Sequence, residues 1–214
     1  MNYKAVIFDF DGTIADTNDI ILESWQHTYQ ELTGKKEDPE IICSRFGEPL
    51  KESMEMAFPE IAPEKSIKLY RGYQATIYED RIKLFPGMKD LLNKLNQEGL
   101  KVVLLTSRQY DFTMKGLNKF DIKKNFDAIV TCEDTENHKP DPEPMYAALA
   151  KAGIAKGDAF MIGDSRFDIM CAHRAGVKAA LVDWSVAQPV APSEGEAKPD
   201  YIIREAEDIL EIAK

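Results

Sequence analysis

Short apolar runs alternate with helical patterns along most of this chain, and polar residues follow each run. Continuous apolar runs of this length are typical of strands buried on both faces of a sheet. Helices between such strands predict a parallel arrangement, because parallel strands need a crossover connection. The predicted strands are the run that begins at Ala5, Val102–Leu105, Ala128–Val130, Ala159–Ile162, Ala179–Val182 and a short final strand at Tyr201–Ile203. The sequence therefore predicts an α/β fold built on a parallel sheet.

The long stretch between the first and second predicted strands keeps a helical period and lacks any run typical of a strand. A helix that Asp16 or Thr17 can cap begins it, and prolines divide the rest into shorter helical pieces. We expect residues 16–81 to form an all-helical cap domain, inserted into a core domain of residues 1–15 and 82–214. Near the other end of the chain, the stretch from Gln188 to Pro199 is rich in Pro, Ala and Glu and is predicted to be a surface loop.

Chemically versatile side chains follow four of the predicted strands. In open parallel sheets, ligands bind beyond the carboxyl ends of the strands, so these side chains are the candidates for a site. They are Asp9 and Asp11 after the first strand, Thr106, Ser107 and Arg108 after the second, Lys139 after the third, and Asp164 and Asp168 after the fourth. If the strand geometry persists to its tip, Asp9 and Asp11 project to the same side. Two such carboxylates repel each other unless a cation or a shared proton relieves them.

Composition limits the classes of partner. The net charge of −10 and the pI near 4.9 argue against nucleic acid or an anionic membrane surface. The three cysteines are far apart, so we expect neither a zinc cluster nor a disulfide framework, and a reducing compartment fits them. No apolar stretch is long enough to span a membrane, and the N-terminal run lacks the pattern of a signal peptide. We expect a cytoplasmic protein that is a monomer or a homodimer.

Taken in order, the strand-end residues resemble a known set of motifs. Asp9-Phe10-Asp11-Gly12-Thr13, Thr106, Lys139-Pro140 and Gly163-Asp164 followed by Asp168 are similar to the four motifs of the haloacid dehalogenase (HAD) superfamily. The resemblance covers nearly the whole chain, including the helical cap after the first strand. It is closest to the phosphoglycolate phosphatase-like branch, which also contains pyrophosphatases and β-phosphoglucomutase, and it implies a Rossmann-like core.

The resemblance implies a role for each motif residue. Asp9 would attack phosphorus and form an aspartyl-phosphate, and Asp11 would protonate the leaving oxygen and then activate water. Thr106 would hydrogen-bond a phosphoryl oxygen, and Lys139 would neutralise the charge that gathers there. True haloacid dehalogenases resemble DxY and phosphonatases DxA at the first motif. An acid at Asp11 favours phosphate esters, because their leaving oxygen benefits from a proton.

A magnesium ion is implied by the same resemblance. Mg²⁺ favours oxygen ligands, and the motifs assign it to the Asp9 side chain, the Asp11 backbone carbonyl and the Asp164 side chain. Asp168 is expected outside this set of ligands, where it would orient Lys139 or a water bound to the metal.

Candidates for substrate binding lie in the predicted cap and after the second strand. The segment Arg45-Phe46-Gly47-Glu48-Pro49-Leu50-Lys51 resembles the cap loop that contacts the substrate in this branch. It makes Arg45, Gly47, Glu48 and Lys51 candidates, together with Arg71 on a later cap helix and with Thr106, Ser107 and Arg108 of the core.

These expectations favour a Mg²⁺-dependent phosphatase that hydrolyses a small, phosphoglycolate-like phosphomonoester through an aspartyl-phosphate. Inorganic pyrophosphatase activity is compatible with every core motif. A β-phosphoglucomutase-like mutase is disfavoured, because such enzymes usually carry a histidine near the positions of Ile20 and Ile21. A non-catalytic binding protein on the same fold is the candidate from a different class.

Overall fold

A six-stranded sheet forms the centre of the protein, and every strand pairing in it is parallel. The computed structural model describes residues 3–187 and 190–214. The strands of the sheet are β1 (Ala5–Phe8), β4 (Lys101–Leu105), β5 (Ala128–Val130), β6 (Ala159–Gly163), β7 (Lys178–Val182) and β8 (Tyr201–Ile203). Their order is β5-β4-β1-β6-β7-β8. The predicted fold class, a parallel α/β core with an inserted helical segment, is confirmed.

Strand β1 lies in the middle of the sheet because it is apolar throughout and buried on both faces. Ile7 pairs with Val103 of β4 on one side and with Met161 of β6 on the other. The chain builds β4 and β5 outward on one side and then crosses over to build β6, β7 and β8 on the other. Crevices beyond the carboxyl ends of strands form at this kind of reversal, which places a candidate site next to β1.

Helices cover both faces of the sheet, and alternate residues of β1 separate the two apolar cores. Val6 and Phe8 pack with Leu92 in one core, whereas Ile7 packs with Met145 in the other. This alternation follows from the two-residue period of a strand. The helices are α5 (Met88–Gln97), α6 (Tyr110–Lys119), α7 (Glu143–Ala152), α8 (Arg166–Ala175) and α9 (Ala206–Ala213).

The first four of the five helices between β1 and β4 enclose an apolar cluster of their own. They are α1 (Asn18–Thr33), α2 (Pro39–Cys43), α3 (Leu50–Ala57) and α4 (Pro63–Arg81). Trp25 and Tyr29 of α1 pack with Tyr70 of α4 in this cluster. Gly34 ends α1 in the left-handed conformation that favours glycine.

Two features of this region differ from the sequence expectation. A two-stranded antiparallel pair, β2 (Ala15–Asp16) with β3 (Lys83–Leu84), joins the inserted helices to the core. Each strand has only two residues, which is too short for an alternating pattern to be visible in the sequence. Strand β1 also ends at Phe8, so the strand geometry does not persist to Asp9 and Asp11.

The remaining sequence expectations concern the end of the chain and membranes. Of the loop predicted from Gln188 to Pro199, Gln188 and Pro189 lie outside the described residues, and residues 190–199 form neither helix nor strand. No helix in the described part of the chain has the length and apolar character needed to cross a bilayer.

A close contact between α4 and α6 gives a test of the fold. A Cβ atom added at Gly116 of α6 would lie 2.7 Å from the Tyr78 hydroxyl oxygen and 2.8 Å from the Phe10 ring. We expect Gly116→Ala to lower the free energy of unfolding, because overpacking of this kind costs about 1–3 kcal/mol. Gly72→Ala in α4 is the control. Nothing lies within 4 Å of its added Cβ, so it should gain about 0.5–1 kcal/mol of helix stability. Urea denaturation measures the free energy of unfolding of both variants. Equal changes in the two variants would contradict the packing described around Gly116.

Candidate active site

Three neighbouring strands end at one cavity beside the inserted helices. Asp9, Thr106 and Asp164 follow β1, β4 and β6, and all three line this cavity. The loop after β5 brings Lys139 to the same place. The sequence-predicted residues that line the cavity are Asp9, Asp11, Arg45, Gly47, Glu48, Arg71, Thr106, Ser107, Arg108, Lys139, Asp164 and Asp168. The structure therefore brings together residues that lie up to 159 positions apart in the chain, from Asp9 to Asp168.

Lys139 lies between two buried carboxylates. Its Nζ donates to Asp9 Oδ1 at 2.7 Å and to Asp168 Oδ1 at 2.5 Å, and it also donates to the Leu105 carbonyl at 3.2 Å. Burial by itself lowers the pKa of the Lys139 ammonium, but the charges of Asp168 and Asp9 raise it above its ordinary value. The lysine therefore remains a cation inside the protein and neutralises charge beside Asp9.

Asp168 owes its position to the start of α8. Ser165 caps this helix, and its backbone N–H and hydroxyl donate to Asp168 Oδ2 at 3.1 and 2.6 Å. The reciprocal bonds of this capping box fix the first turn of the helix. Both Asp168 oxygens are thus held by donors of the chain, one of them by Lys139.

The carboxylate of Asp164 is buried close to those of Asp9 and Asp168. Ligand atoms of these three carboxylates lie within 4.8 Å of one another. Among the described residues, no N–H or O–H donates to the Asp164 carboxylate, although its backbone carbonyl accepts from Ser185 Oγ. Burial raises the pKa of Asp164 well above its ordinary value, and the charges of Asp168 and Asp9 raise it further. Burial also raises the pKa of Asp9 to about 7, although Lys139 opposes that rise. The pocket is therefore short of positive charge.

Gly12 permits the first motif to approach Asp164 closely. Its φ of +74° lies in the left-handed region, and an added Cβ would lie 2.1 Å from Asp164 Oδ2. Any side chain at this position would displace the carboxylate.

Asp11 is held away from the three-carboxylate cluster by a different set of partners. Its carboxylate accepts from Arg108 Nη2 at 2.7 Å and Arg108 Nε at 2.8 Å, and from Thr17 Oγ1 at 2.7 Å. The Thr106 hydroxyl oxygen accepts from the Arg108 backbone N–H at 3.1 Å, which leaves its hydroxyl hydrogen available for another acceptor. Arg108 is thus paired with Asp11 in this structure.

A loop of the inserted segment presses against the core at Gly47. The φ of Gly47 is +83°, and an added Cβ would lie 2.6 Å from the Ser165 Cβ. The neighbouring Glu48 accepts from Ser53 Oγ at 2.8 Å and forms an ion pair with Arg166 Nη2 of α8 at 3.3 Å. Glu48 therefore connects the inserted segment to the core.

Two arginines of the inserted segment line the cavity without a carboxylate partner. Within residues 3–187 and 190–214, neither Arg45 nor Arg71 makes a side-chain hydrogen bond or an ion pair, and Arg45 Nε is buried without an acceptor. Lys51 corrects the sequence expectation, because it does not line the cavity. Its side chain is 64% exposed and faces Glu55 at 3.9 Å, since α3 begins at Leu50 and turns this position outward.

Sequence reasoning missed several contributors. The sequence indicates Thr17 only as a helix cap, but its hydroxyl donates to Asp11 and makes no capping bond. Gln74 and Tyr70 on α4 line the cavity together with Arg71. Their spacing of three or four residues marks one helical face, but only the packing of α4 shows that this face meets Arg108.

The buried carboxylates give a pH test. Because the folded-state pKa of Asp164 lies above its unfolded-state value, the folded protein binds the proton more tightly, and Asp164 costs stability as the pH rises through this range. We expect the metal-free Asp164→Asn variant to gain stability over the wild type as the pH rises above about 4, the ordinary pKa of an aspartate. Urea titrations with a chelator measure this difference. Asp19→Asn, at an exposed position, should show no such trend. A difference for Asp164→Asn that is independent of pH would contradict the burial described.

Comparison with known proteins agrees with this geometry. The profile of the haloacid dehalogenase-like hydrolase family matches residues 6–182. A Caldanaerobacter subterraneus protein assigned provisionally as pyrophosphatase PpaX is 38% identical over 214 residues, covering 100% of this chain and 96% of that protein. Pyrophosphatase PpaX of Halalkalibacterium halodurans is 31% identical over 212 residues, covering 99% of this chain and 97% of that protein.

A solved structure extends the likeness to the whole fold. A Lactobacillus plantarum protein assigned provisionally as a phosphoglycolate phosphatase superposes with a TM-score of 0.87 at 26% identity, covering 99% of this chain and 100% of that one. The predicted superfamily, its phosphoglycolate phosphatase-like branch and the prediction of a hydrolase are confirmed. With the motif residues at four strand ends and a profile match over most of its length, this chain belongs to the haloacid dehalogenase-like hydrolase family.

Proposed function

We propose that this protein is a Mg²⁺-dependent phosphatase that hydrolyses a small phosphorylated metabolite through an aspartyl-phosphate on Asp9. The observation that carries the proposal is the contact of Lys139 with Asp9 at the end of the central strand, beside the unpartnered carboxylate of Asp164. A buried carboxylate flanked by a lysine and by a place for a metal suits nucleophilic attack on phosphorus.

The two half-reactions assign one role to each carboxylate of the first motif. An Asp9 oxygen would bond to phosphorus while the bond from phosphorus to the leaving oxygen breaks, and Asp11 would donate its proton to that oxygen. Water would then attack phosphorus and give a proton to Asp11, and the bond between Asp9 and phosphorus would break. Thr106 would donate its free hydroxyl hydrogen to a phosphoryl oxygen, and Lys139 would hold Asp9 in place and balance the charge.

The carboxylates fit a magnesium site. Asp164 is a buried carboxylate without a donor in the described part of the chain, and a hard cation satisfies such a group better than a neutral donor does. Asp9 and Asp164 would hold the ion together with the Asp11 carbonyl, and Asp168 would orient Lys139. When bound, Mg²⁺ supplies positive charge that shields the phosphoryl oxygens.

We also propose that the inserted helices act as a cap domain over residues 16–81, with 1–15 and 82–214 as the core domain. The separate apolar cluster of α1–α4 and the short β2–β3 pair at the junction support this division. Gly47 and Glu48, which meet Ser165 and Arg166, would form the contact that closes the cavity and excludes water. A cytoplasmic location and a monomer or homodimer remain predictions from the sequence.

The substrate is best matched by a small molecule with two anionic ends. Arg45 and Arg71 line the cavity and pair with no carboxylate in the described part of the chain, so they would bind a second negative group while the first is transferred. A phosphoglycolate-like monoester has such a group. Inorganic pyrophosphate is the second candidate, and the relatives named pyrophosphatase PpaX, at 31–38% identity, favour it.

A phosphosugar mutase and a non-catalytic binding protein have less support. Where a mutase would carry a histidine, Ile21 presents an apolar side chain to the cavity. A purely binding protein would have no need of Lys139 and Asp168 arranged around a nucleophilic carboxylate, and it would show no turnover with Mg²⁺.

The nucleophile has a direct test. We expect Asp9→Asn to abolish Mg²⁺-dependent release of phosphate from p-nitrophenyl phosphate, because an amide oxygen is a poor nucleophile and a poor metal ligand. A phosphate assay with and without chelator measures the loss, and the exposed Asp19→Asn is the matched control. Activity that survives Asp9→Asn, or that ignores the chelator, would exclude the mechanism.

The two unpaired arginines have their own test. We expect Arg45→Ala and Arg71→Ala each to raise KM for the preferred doubly anionic substrate by about 10–100-fold, because a charge-assisted hydrogen bond contributes about 1.5–3 kcal/mol. KM for p-nitrophenyl phosphate should change little. Arg204→Ala, at an exposed arginine, controls for net charge. Steady-state kinetics on phosphoglycolate and pyrophosphate give both values and also separate the two substrates. An equal rise in KM for all substrates would count against the assigned role.

A further inference from the structure

Arg108 engages both oxygens of the Asp11 carboxylate. Its Nη2 donates to Oδ1 at 2.7 Å and its Nε donates to Oδ2 at 2.8 Å, which is the parallel geometry of a guanidinium and a carboxylate. Thr17 Oγ1 adds a third donor to Oδ1 at 2.7 Å. For Asp11 to hydrogen-bond a leaving oxygen, at least part of this arrangement must open.

The other side of Arg108 rests against α4. The guanidinium carbon lies 4.8 Å from the centre of the Tyr78 ring, and Nη1 donates to Gln74 Oε1 at 3.3 Å. Gln74 is held in turn by a bond from its Nε2 to the Tyr70 hydroxyl at 3.0 Å. The Arg108 side chain is only 6% exposed, so it has little access to water. A core residue is thus enclosed between Asp11 and a helix of the cap.

Because Arg108 is buried, its guanidinium can leave the Asp11 carboxylate only if another anion replaces that carboxylate. A buried guanidinium that loses its carboxylate without a replacement charge is strongly unfavourable. A neutral leaving group offers no such replacement, so Arg108 retains Asp11. An anionic group beside the leaving oxygen can bind the guanidinium in the same bidentate way, because both phosphate and carboxylate oxygens match its geometry.

We propose that Arg108 is a specificity-determining residue, which releases Asp11 to the leaving oxygen only when the leaving group carries a second anionic group. This inference rests on the proposed function. Asp11 is a carboxylate while Arg108 holds it, so on release it takes up a proton from water. It then gives that proton to the leaving oxygen as the bond from that oxygen to phosphorus breaks and the bond from Asp9 forms. Arg108 takes no proton in this step. It exchanges one carboxylate for the anionic end of the substrate.

The inference predicts opposite effects of one substitution on two substrates. Arg108→Gln frees Asp11 and removes the site for the second anion. We expect kcat for ethyl phosphate, whose leaving group is neutral and needs a proton, to rise several-fold. We expect kcat/KM for pyrophosphate to fall by about 10–100-fold, since charge-assisted hydrogen bonds are lost. p-Nitrophenyl phosphate, whose leaving group needs no proton, should change less than about threefold and reports on the rest of the site.

Two further variants complete the experiment. Arg108→Lys keeps the charge and the stem beside Tyr78 but loses the bidentate geometry, so its preference for pyrophosphate over ethyl phosphate should lie between wild type and Arg108→Gln. It also serves if Arg108→Gln fails to fold. Arg81→Gln is the control: Arg81 lies at the end of α4 and forms an ion pair with Glu23 of α1. Its loss should leave the preference for pyrophosphate over ethyl phosphate unchanged. Phosphoglycolate is tested in parallel. It shows whether the carboxylate of a substrate takes the place of Asp11 on Arg108 as well as the second phosphate of pyrophosphate does.

Several outcomes would overturn the inference. If Arg108→Gln lowered kcat/KM equally for all three substrates, Arg108 would only hold Asp11 in position. If both Arg108 variants kept the wild-type preference for pyrophosphate over ethyl phosphate, Arg108 would not select between substrates. A wild type that cleaves p-nitrophenyl phosphate with Mg²⁺, yet prefers neither pyrophosphate nor phosphoglycolate over ethyl phosphate, would refute the selective role and leave the proposed function intact. Failure of the proposed function itself would appear as a wild type without Mg²⁺-dependent turnover on any of these substrates.

Discussion

The buried ion triad of Asp9, Lys139 and Asp168 is the interaction on which the rest of the site depends. The Asp9 carboxylate lies at the end of a fully buried strand, where burial disfavours its charge. One lysine between two carboxylates offsets part of that cost, but a third carboxylate, Asp164, remains uncompensated. The site therefore has an excess of negative charge, which a divalent cation can balance. Burying this excess of negative charge costs stability, and such clusters of perturbed carboxylates are typical of functional sites.

The order of the strands brings the three members of this triad together from separate parts of the sheet. Lys139 comes from the loop after an edge strand, Asp168 from the first turn of α8, and Asp9 from the central strand. Successive strands are added on one side of β1 and then on the other, and the crevice at this reversal of strand order brings the three segments to one point. The capping box of Ser165 then fixes Asp168, so that a local rule of helix initiation positions a residue that orients the lysine.

The inserted helices contribute to the cavity an enclosing wall and two arginines that pair with no carboxylate of the described residues. Arg45 and Arg71 face the acidic end of the sheet, and Gly47 approaches Ser165 so closely that a side chain would separate the two parts. Arg108 joins the two regions, since it holds the acid of the first motif while its other face rests on α4. In the role proposed above, Arg108 would therefore connect recognition of the substrate with placement of the acid.

Local patterns in the sequence were sufficient for the strands, most helices and the strand-end residues, because periodicity and the residues at element ends act over a few positions. Two-residue strands such as β2 and β3 carry no period and were missed. By itself, the sequence determined that Asp9, Thr106, Lys139 and Asp164 would meet, since each follows a strand of a parallel sheet. Tertiary packing alone decided that Lys51 faces solvent and that Arg108 pairs with Asp11. Both outcomes depend on how the inserted helices are oriented against the core. Contacts between segments far apart in the chain produce no periodic pattern in the sequence, so they cannot be predicted from it.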